Sequence, residues 1–367
     1  MSRSGPLGIG IIGAGTISGT YLENLTSFPD TEVVAIGDLF TEAARSKAAE
    51  YGIASSGDVA SVLEHDAVEL VVNLTIPAAH AEVASQAIAA GKHVWNEKPL
   101  ALDRPSGQAL LDASEAAGVR IGCAPDTFLG QGLQTARRVI ERGDIGVPLT
   151  ALILMQSPGP DSWHPNPGFL FAQGAGPLFD IGPYYWTALV QTFGPVAAVA
   201  ALGSKARDRR VIGSGPRAGE EFDVMVPSHV SSIAQFESGQ SAQSIFSFDS
   251  ALPRTLLELN GTDATLLFPD PNMFDGDIKI RKRGDDDWQT VETTTELSSR
   301  GTGVLDMARA IRMGRPHRAH GALAYHVLDT MLAIAESVDA RQFVTVDSTI
   351  EVPALLPDDW DPKASTL

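Results

Sequence analysis

From Leu7 to about Ala124, short apolar runs alternate with longer stretches in which apolar residues recur at helical spacing. That is the rhythm of βαβ units feeding a parallel sheet. Strands are expected at Gly8–Ile12, Val33–Ile36, Leu70–Leu74, His93–Trp95 and Arg120–Cys123, with helices at Ile17–Leu25, Thr41–Tyr51, Val59–Glu64, His80–Ala90 and Pro105–Ala116. Gly52, Gly91 and Gly118 fall where helices stop, because glycine takes up positive φ without strain. After Ala124 the rhythm changes to a helix over about Gly132–Arg142, a Pro/Gly-rich stretch, and a series of strand-like segments. These are Leu149–Gln156, Val196–Leu202, Ser228–Phe236, Ala242–Phe248, Thr255–Leu259, Thr265–Phe268 and Ile278–Arg281. Short turns such as Glu237-Ser238-Gly239 and Asn260-Gly261-Thr262 join some of them, which predicts an antiparallel sheet. Two late helices, Val304–Met313 and Ala322–Val338, lead to an acidic, Pro-rich tail at Pro353–Pro362, expected to lie loosely packed or wrapped on the surface.

The fold class is therefore α/β: a doubly wound parallel sheet over residues 1–124, then an α+β domain over 125–367 with a mostly antiparallel sheet. Charge narrows the partners. With 45 acidic against 27 basic residues and a formal charge of −18, the chain repels phosphate backbones and anionic headgroups, so neither nucleic acid nor membrane is expected. The single cysteine, Cys123, makes no intrachain disulfide and no zinc spacing is visible, so no metal is expected. Met1–Leu7 shows no secretory signal, and apolar runs fall short of the roughly 20 residues of a membrane helix. A cytoplasmic protein is expected.

The first strand runs directly into Gly13-Ala14-Gly15-Thr16-Ile17-Ser18. Gly13 permits a tight turn, Gly15 lets the backbone approach a pyrophosphate, and Thr16 and Ile17 open a helix whose N–H groups and dipole favour an anion. Ser18 stands where a third glycine or alanine would pack against the strand. Asp38, 25 positions beyond Gly13, ends the second strand, where a carboxylate binds the adenine ribose; it also suits a helix N-terminus. No Arg or Lys follows in Leu39-Phe40-Thr41 to neutralise a 2′-phosphate, so NAD is favoured over NADP. Thr75, Pro77 and His80 follow the Leu70–Leu74 strand, at the carboxyl end where dinucleotides bind. Glu97-Lys98-Pro99 follows the next strand, and a partly desolvated lysine there suits general acid/base work.

The glycine turn, Glu97-Lys98-Pro99 and the run from Gly174 to Tyr184 (GAGPLFDIGPY), in that order, resemble the Gfo/Idh/MocA oxidoreductases over Gly8 to about Asp347. The resemblance implies a dinucleotide-binding domain followed by a domain with a large open sheet, and a homodimer or homotetramer. It implies that Lys98 is the catalytic lysine beside the nicotinamide, that Glu97 and Pro99 shape its loop, and that Asp180 points into the substrate pocket, converging on Lys98. Two positions depart from the family pattern. Tyr184 stands where many members carry a histidine; the glucose–fructose oxidoreductase-like branch has a tyrosine there, and the resemblance implies that Tyr184 shares proton transfer with Lys98. Thr127 stands where arginine is common, which leaves Asp126 as a candidate partner for substrate hydroxyls. Trp163 and His164, in Asp161–Pro167, either stack on and bond to a sugar ring or anchor a Pro-rich loop. The expected activity is hydride transfer between NAD and a C–O carbon of a sugar or cyclitol. A redox-neutral enzyme with tightly held NAD and a non-catalytic dinucleotide-binding regulator are the alternatives.

Overall fold

The computed structural model describes residues 4–293 and 299–367. Met1–Arg3, the start of the segment read for a leader, lie outside the described residues. Contacts group the chain into two compact units: Met1–Gln131 with Thr294–Leu328 and Pro353–Leu367, and Gly132–Thr293 with Asp329–Val352. The first unit is thus assembled from three separate stretches of chain.

In the first unit, β1 (Leu7–Ile12), β2 (Thr31–Gly37), β3 (Ser55–Gly57), β4 (Leu70–Asn73), β5 (His93–Asn96) and β6 (Ile121–Cys123) form a sheet in the order β3-β2-β1-β4-β5-β6. Every pair in it is parallel. Crossover helices α1 (Thr16–Leu25), α2 (Thr41–Tyr51), α3 (Val59–Leu63), α4 (His80–Ala89) and α5 (Arg104–Ala116) connect them. All residues of β1 and β4 are buried, which explains their unbroken apolar runs. Ile12, Val71, Val94 and Ile121 of the sheet pack with Val83, Ala84, Ala87 and Ile88 of α4 in one core. The order reverses between β1 and β4, and this switch point places the ligand crevice at the carboxyl ends of the strands. The helical and strand patterns of this half all match observed elements; β3, only three residues long, carried no pattern to read.

The second unit contains α6 (Gln131–Glu141, whose first residue belongs to the first unit), β7 (Pro148–Gln156), α7 (Pro177–Phe193) and β8 (Val196–Ser204). A small hairpin, β9 (Arg209–Val211) and β10 (Glu221–Asp223), comes next. Then follow β11 (His229–Phe236), β12 (Ser241–Ser247), β13 (Arg254–Gly261), β14 (Ala264–Leu267), β15 (Ile278–Lys282) and β16 (Gln289–Val291). After α8 (Thr302–Met313) of the first unit, α9 (Gly321–Ala340) crosses from one unit to the other, and β17 (Val344–Thr345) closes the sheet. The nine-stranded order is β16-β15-β14-β13-β7-β12-β11-β8-β17. Only the β7–β12 pair is parallel.

Helix α7 lies against β7, β11 and β12, with Tyr185 edge-on to Phe246 and Phe193 edge-on to Phe236. The periodicity reading places no helix there. Gly174, Gly176, Pro177 and Pro183 look like breakers, yet Pro177 occupies the first turn, where its missing N–H costs nothing. Nor is the tail loose: Leu356 and Trp360 are buried, and the Arg309 guanidinium lies 4.6 Å from the Trp360 ring centre. Among the described residues no helix is long and apolar enough to cross a membrane.

Candidate active site

The glycine turn has two glycines with different work. At Gly13 the backbone turns with φ +108°, its N–H donates to Gly37 O at 2.8 Å, and a Cβ would lie 2.7 Å from the backbone of Leu74. Gly15, in extended conformation, is the N-cap of α1; it offers no side-chain cap, the first turn holds no acidic residue, and a Cβ there would meet nothing within 4 Å. A helix N-terminus without its own acceptor, beside open space, fits a pyrophosphate, with Thr16 and Ile17 leading the helix. Ser18 is fully buried and its hydroxyl donates to Gly15 O at 2.7 Å, so it serves the packing position expected of it. The Asp38 carboxylate accepts from the Ala14 N–H (2.7 Å) and the Phe40 N–H (2.8 Å), which ties the end of β2 to the turn. Each oxygen keeps lone pairs for ribose hydroxyls. These residues fit a dinucleotide.

A buried polar layer joins the ends of β4 and β5. Asn73 Nδ2 donates to Asn96 Oδ1 (2.9 Å) and to His80 O (3.1 Å), while Asn73 Oδ1 accepts the Thr75 hydroxyl at 2.7 Å. Thr75 and the exposed Pro77 lie on the turn that follows, where the sequence reading put them. His80 differs from its reading as a cofactor contact: it is 1% exposed, with Nδ1 2.7 Å from Pro99 O and Nε2 3.0 Å from Thr75 O. Burial holds its pKa below the usual histidine value, against the pull of the two carbonyls.

Lys98 is half-buried directly after β5, and its N–H donates to Glu97 Oε2 at 3.0 Å. The Glu97 carboxylate also accepts the Tyr21 hydroxyl at 2.9 Å and lies 3.9 Å from the Arg300 guanidinium. Glu97, read as a cofactor contact, is therefore engaged within the protein and fixes the loop it begins. Burial, then the Glu97 charge, raises the Tyr21 pKa well above normal, so that phenol stays a donor. Asp126 departs from its reading as a substrate contact. It is fully buried, and its Oδ2 accepts the N–H of Gly301 (2.8 Å) and Gly303 (3.0 Å) at the start of α8, so helix capping occupies it. Burial raises its pKa.

In the second unit, Asp180 and Tyr184 lie four residues apart on α7 and so share a face. Asp180, in the first turn, suits the positive end of the helix dipole; Tyr184 is 6% exposed. Trp163 is 67% exposed, and its ring meets His164 edge-on at 5.5 Å, as His164 meets Phe169. This aromatic group belongs to a loop pinned by Arg210, whose guanidinium pairs with Asp161 (2.5 Å) and Asp249 and donates to Pro158 O and Phe248 O. Sequence reasoning missed Arg210 and Arg300. Arg210 sits in a charged three-residue strand, and Arg300 reaches Glu97 across some two hundred residues of chain. Neither carries a local signal.

Residues 7–124 match the oxidoreductase family model with an NAD-binding Rossmann fold, Gfo/Idh/MocA, and residues 133–267 match the Gfo/Idh/MocA C-terminal domain. Together the two cover well over half of the chain. Inositol 2-dehydrogenase of Klebsiella pneumoniae (strain 342) is 32% identical over 149 residues, 39% of this chain and 44% of that protein. Inositol 2-dehydrogenase 3 of Saccharopolyspora erythraea is 30% identical over 161 residues, 42% and 47% of the two chains. The chain spans less than half the length of the curated relatives it matches. Among solved structures, an NAD-binding oxidoreductase from Klebsiella pneumoniae superposes with a TM-score of 0.81 at 23% identity, covering 93% of this chain and 99% of that one. Levoglucosan dehydrogenase in complex with NADH and L-sorbose gives a TM-score of 0.81 at 21% identity, with 93% and 99% coverage. At such identities the likeness shows the fold. With both domain models matched in order on a parallel Rossmann sheet and a large mixed sheet, the chain belongs to the Gfo/Idh/MocA oxidoreductase family.

Proposed function

We propose that this protein is an NAD-dependent dehydrogenase acting on a CH–OH group of a sugar or cyclitol. The observation that carries the reading is the Rossmann crevice itself: an uncapped helix N-terminus at Gly15, an anchored Asp38 carboxylate, and Lys98 at the carboxyl end of β5. The names of the relatives, inositol 2-dehydrogenase and levoglucosan dehydrogenase, support a polyhydroxylated substrate. Asp38 accepts bonds from the adenine ribose, and the absence of a cation in Leu39-Phe40-Thr41 supports NAD over NADP.

In this mechanism the Lys98 side chain, as its neutral amine, takes the proton of the reacting hydroxyl, Tyr184 shares in the proton transfer, and Asp180 accepts a bond from a neighbouring hydroxyl. NAD, when bound, supplies the acceptor for the hydrogen that leaves the same carbon with its electron pair. Proton transfer of this kind contributes about 100- to 10,000-fold. Trp163 stacks on the substrate ring and His164 bonds to its edge. A buried free Cys123 suits a cytoplasmic enzyme. Across the sheet, Leu202, Ser231, Ile245, Leu154 and Leu256 are successive register partners on one face, with Leu202 66% exposed. This row supports pairing with a second copy, as a homodimer or homotetramer.

The test is NADH formation across a panel of sugars and cyclitols, with Lys98→Ala alongside. The variant should bind NAD with Kd within about threefold of wild type and turn over about 100-fold or more slowly. Undiminished turnover would overturn the assignment of Lys98. NAD retained through gel filtration with no net NADH would mark a redox-neutral enzyme, and NAD binding without turnover of any substrate a regulator.

A further inference from the structure

His80 turns both polar atoms of its side chain inward. It opens α4, is 1% exposed, and spans two loops: Nδ1 lies 2.7 Å from Pro99 O in buried surroundings, and Nε2 lies 3.0 Å from Thr75 O, which is only partly buried. A neutral imidazole has one N–H to give. The buried carbonyl of Pro99 has the greater need of it, since an unsatisfied buried acceptor costs about 1–3 kcal/mol, whereas the Thr75 carbonyl has access to water. The shorter contact is also the Nδ1 one.

The loop it reaches is also held at three other backbone groups near Lys98. The Glu97 N–H donates to Asn73 O at 2.9 Å, the Lys98 N–H to Glu97 Oε2 at 3.0 Å, and Asn96 Nδ2 to Leu100 O at 3.3 Å. Asn73, in turn, holds His80 O and Asn96. Pro99 has no N–H of its own, so its carbonyl is the backbone group by which the residue after Lys98 can be fixed. A leucine in place of His80 would fill the space and leave that group unheld.

We propose that His80, as its Nδ1–H tautomer, is a positioning residue that aims Lys98 by donating to the carbonyl of Pro99. It acts through the loop and touches neither substrate nor cofactor. The proposal rests on Lys98 being the catalytic lysine, and the experiment keeps the two apart.

On the full chain labelled with 15N, the ring nitrogens of His80, assigned by comparison with His80→Asn, should show a protonated Nδ1 at pH 7.5; a protonated Nε2 overturns the proposal. This measurement needs neither turnover nor a variant that performs well. Two variants then separate positioning from packing. An Asn amide places its NH2 near the Nδ1 position and a Gln amide near Nε2, so His80→Asn should keep the Pro99 bond and His80→Gln should lose it. With cofactor Kd within about threefold in both, kcat should be about tenfold or more lower in His80→Gln than in His80→Asn, because small misplacements of a catalytic group cost up to roughly 100-fold. Equal kcat values, or the reverse order, overturn the positioning role. A wild-type chain that oxidises no substrate would instead refute the dehydrogenase reading, while the tautomer still decides the His80–Pro99 bond.

Discussion

Replacing each turn glycine by alanine should give two opposite failures. In Gly13→Ala the new methyl would lie 2.7 Å from the carbonyl carbon and oxygen of Leu74, backbone atoms of a buried sheet, at φ +108°. Strained φ costs about 1–3 kcal/mol and overpacking roughly another 1–3, so a loss of about 2–6 kcal/mol is expected. At about 2–4 °C per kcal/mol, the melting temperature of Gly13→Ala should fall by roughly 5–20 °C. In Gly15→Ala the methyl meets nothing within 4 Å and the backbone is already extended, so the melting temperature should stay within about 2 °C. That methyl would occupy the space through which a pyrophosphate approaches the start of α1. Losing one charge-assisted hydrogen bond, about 1.5–3 kcal/mol, would weaken NAD roughly 10- to 150-fold. Thermal melts and calorimetric titration with NAD read both effects on the same samples. Gly15→Ala with wild-type affinity would refute the cradle, and Gly13→Ala with wild-type stability would refute the turn geometry.

Two further outcomes concern the first unit. Burial holds the His317 pKa down to about 4, whereas unfolded it would titrate near 6.5. Between these values the unfolded chain binds more protons, so stability is unaffected above about pH 6.5 and falls below it, by about 3 kcal/mol from this residue as pH reaches 4. Urea melts at pH 7.5, 5.5 and 4.5 should show that slope, and His317→Leu should flatten it; an unchanged slope counts against the buried neutral ring. Asp30 is fully buried, pairs with Arg309 at 2.7 Å, and accepts the Thr366 N–H and hydroxyl and the Leu367 N–H. Asp30→Ala leaves Arg309 without its carboxylate and should cost about 3–5 kcal/mol by urea melt at pH 7.5; a loss below about 1 kcal/mol would show the pair to be dispensable.

The parallel sheet was legible because its elements are long enough to show their period and its turn glycines have nearby geometric causes. A Cβ at Gly13 would collide with Leu74, and Asp38 grips Ala14, both consequences of neighbouring strand ends. Helix α7 was illegible because Pro183 in its interior and the glycines before it weigh against a helix locally, and only packing of Tyr185 and Phe193 on the sheet outweighs them. The site residues divide in the same way. Asp126 looked like a substrate contact because its partners, Gly301 and Gly303, lie some 175 residues on. His80 looked like a ligand because nothing in a linear reading shows that Pro99 O and Thr75 O close on its ring from two loops.

The interrupted course of the first unit has a consequence for how the molecule is made. Gly303 of α8 sits against the Trp95 indole so closely that a Cβ there would lie 2.1 Å from the ring, and Met307 reaches Gly122 of β6. The sheet edge is therefore finished by polypeptide that leaves the ribosome long after the strands it covers. Nascent chains must carry Trp95 and β6 unsheathed while residues 132–293 are synthesised. A gene truncated at residue 131 should yield an insoluble product, rescued by co-expressing the missing helix.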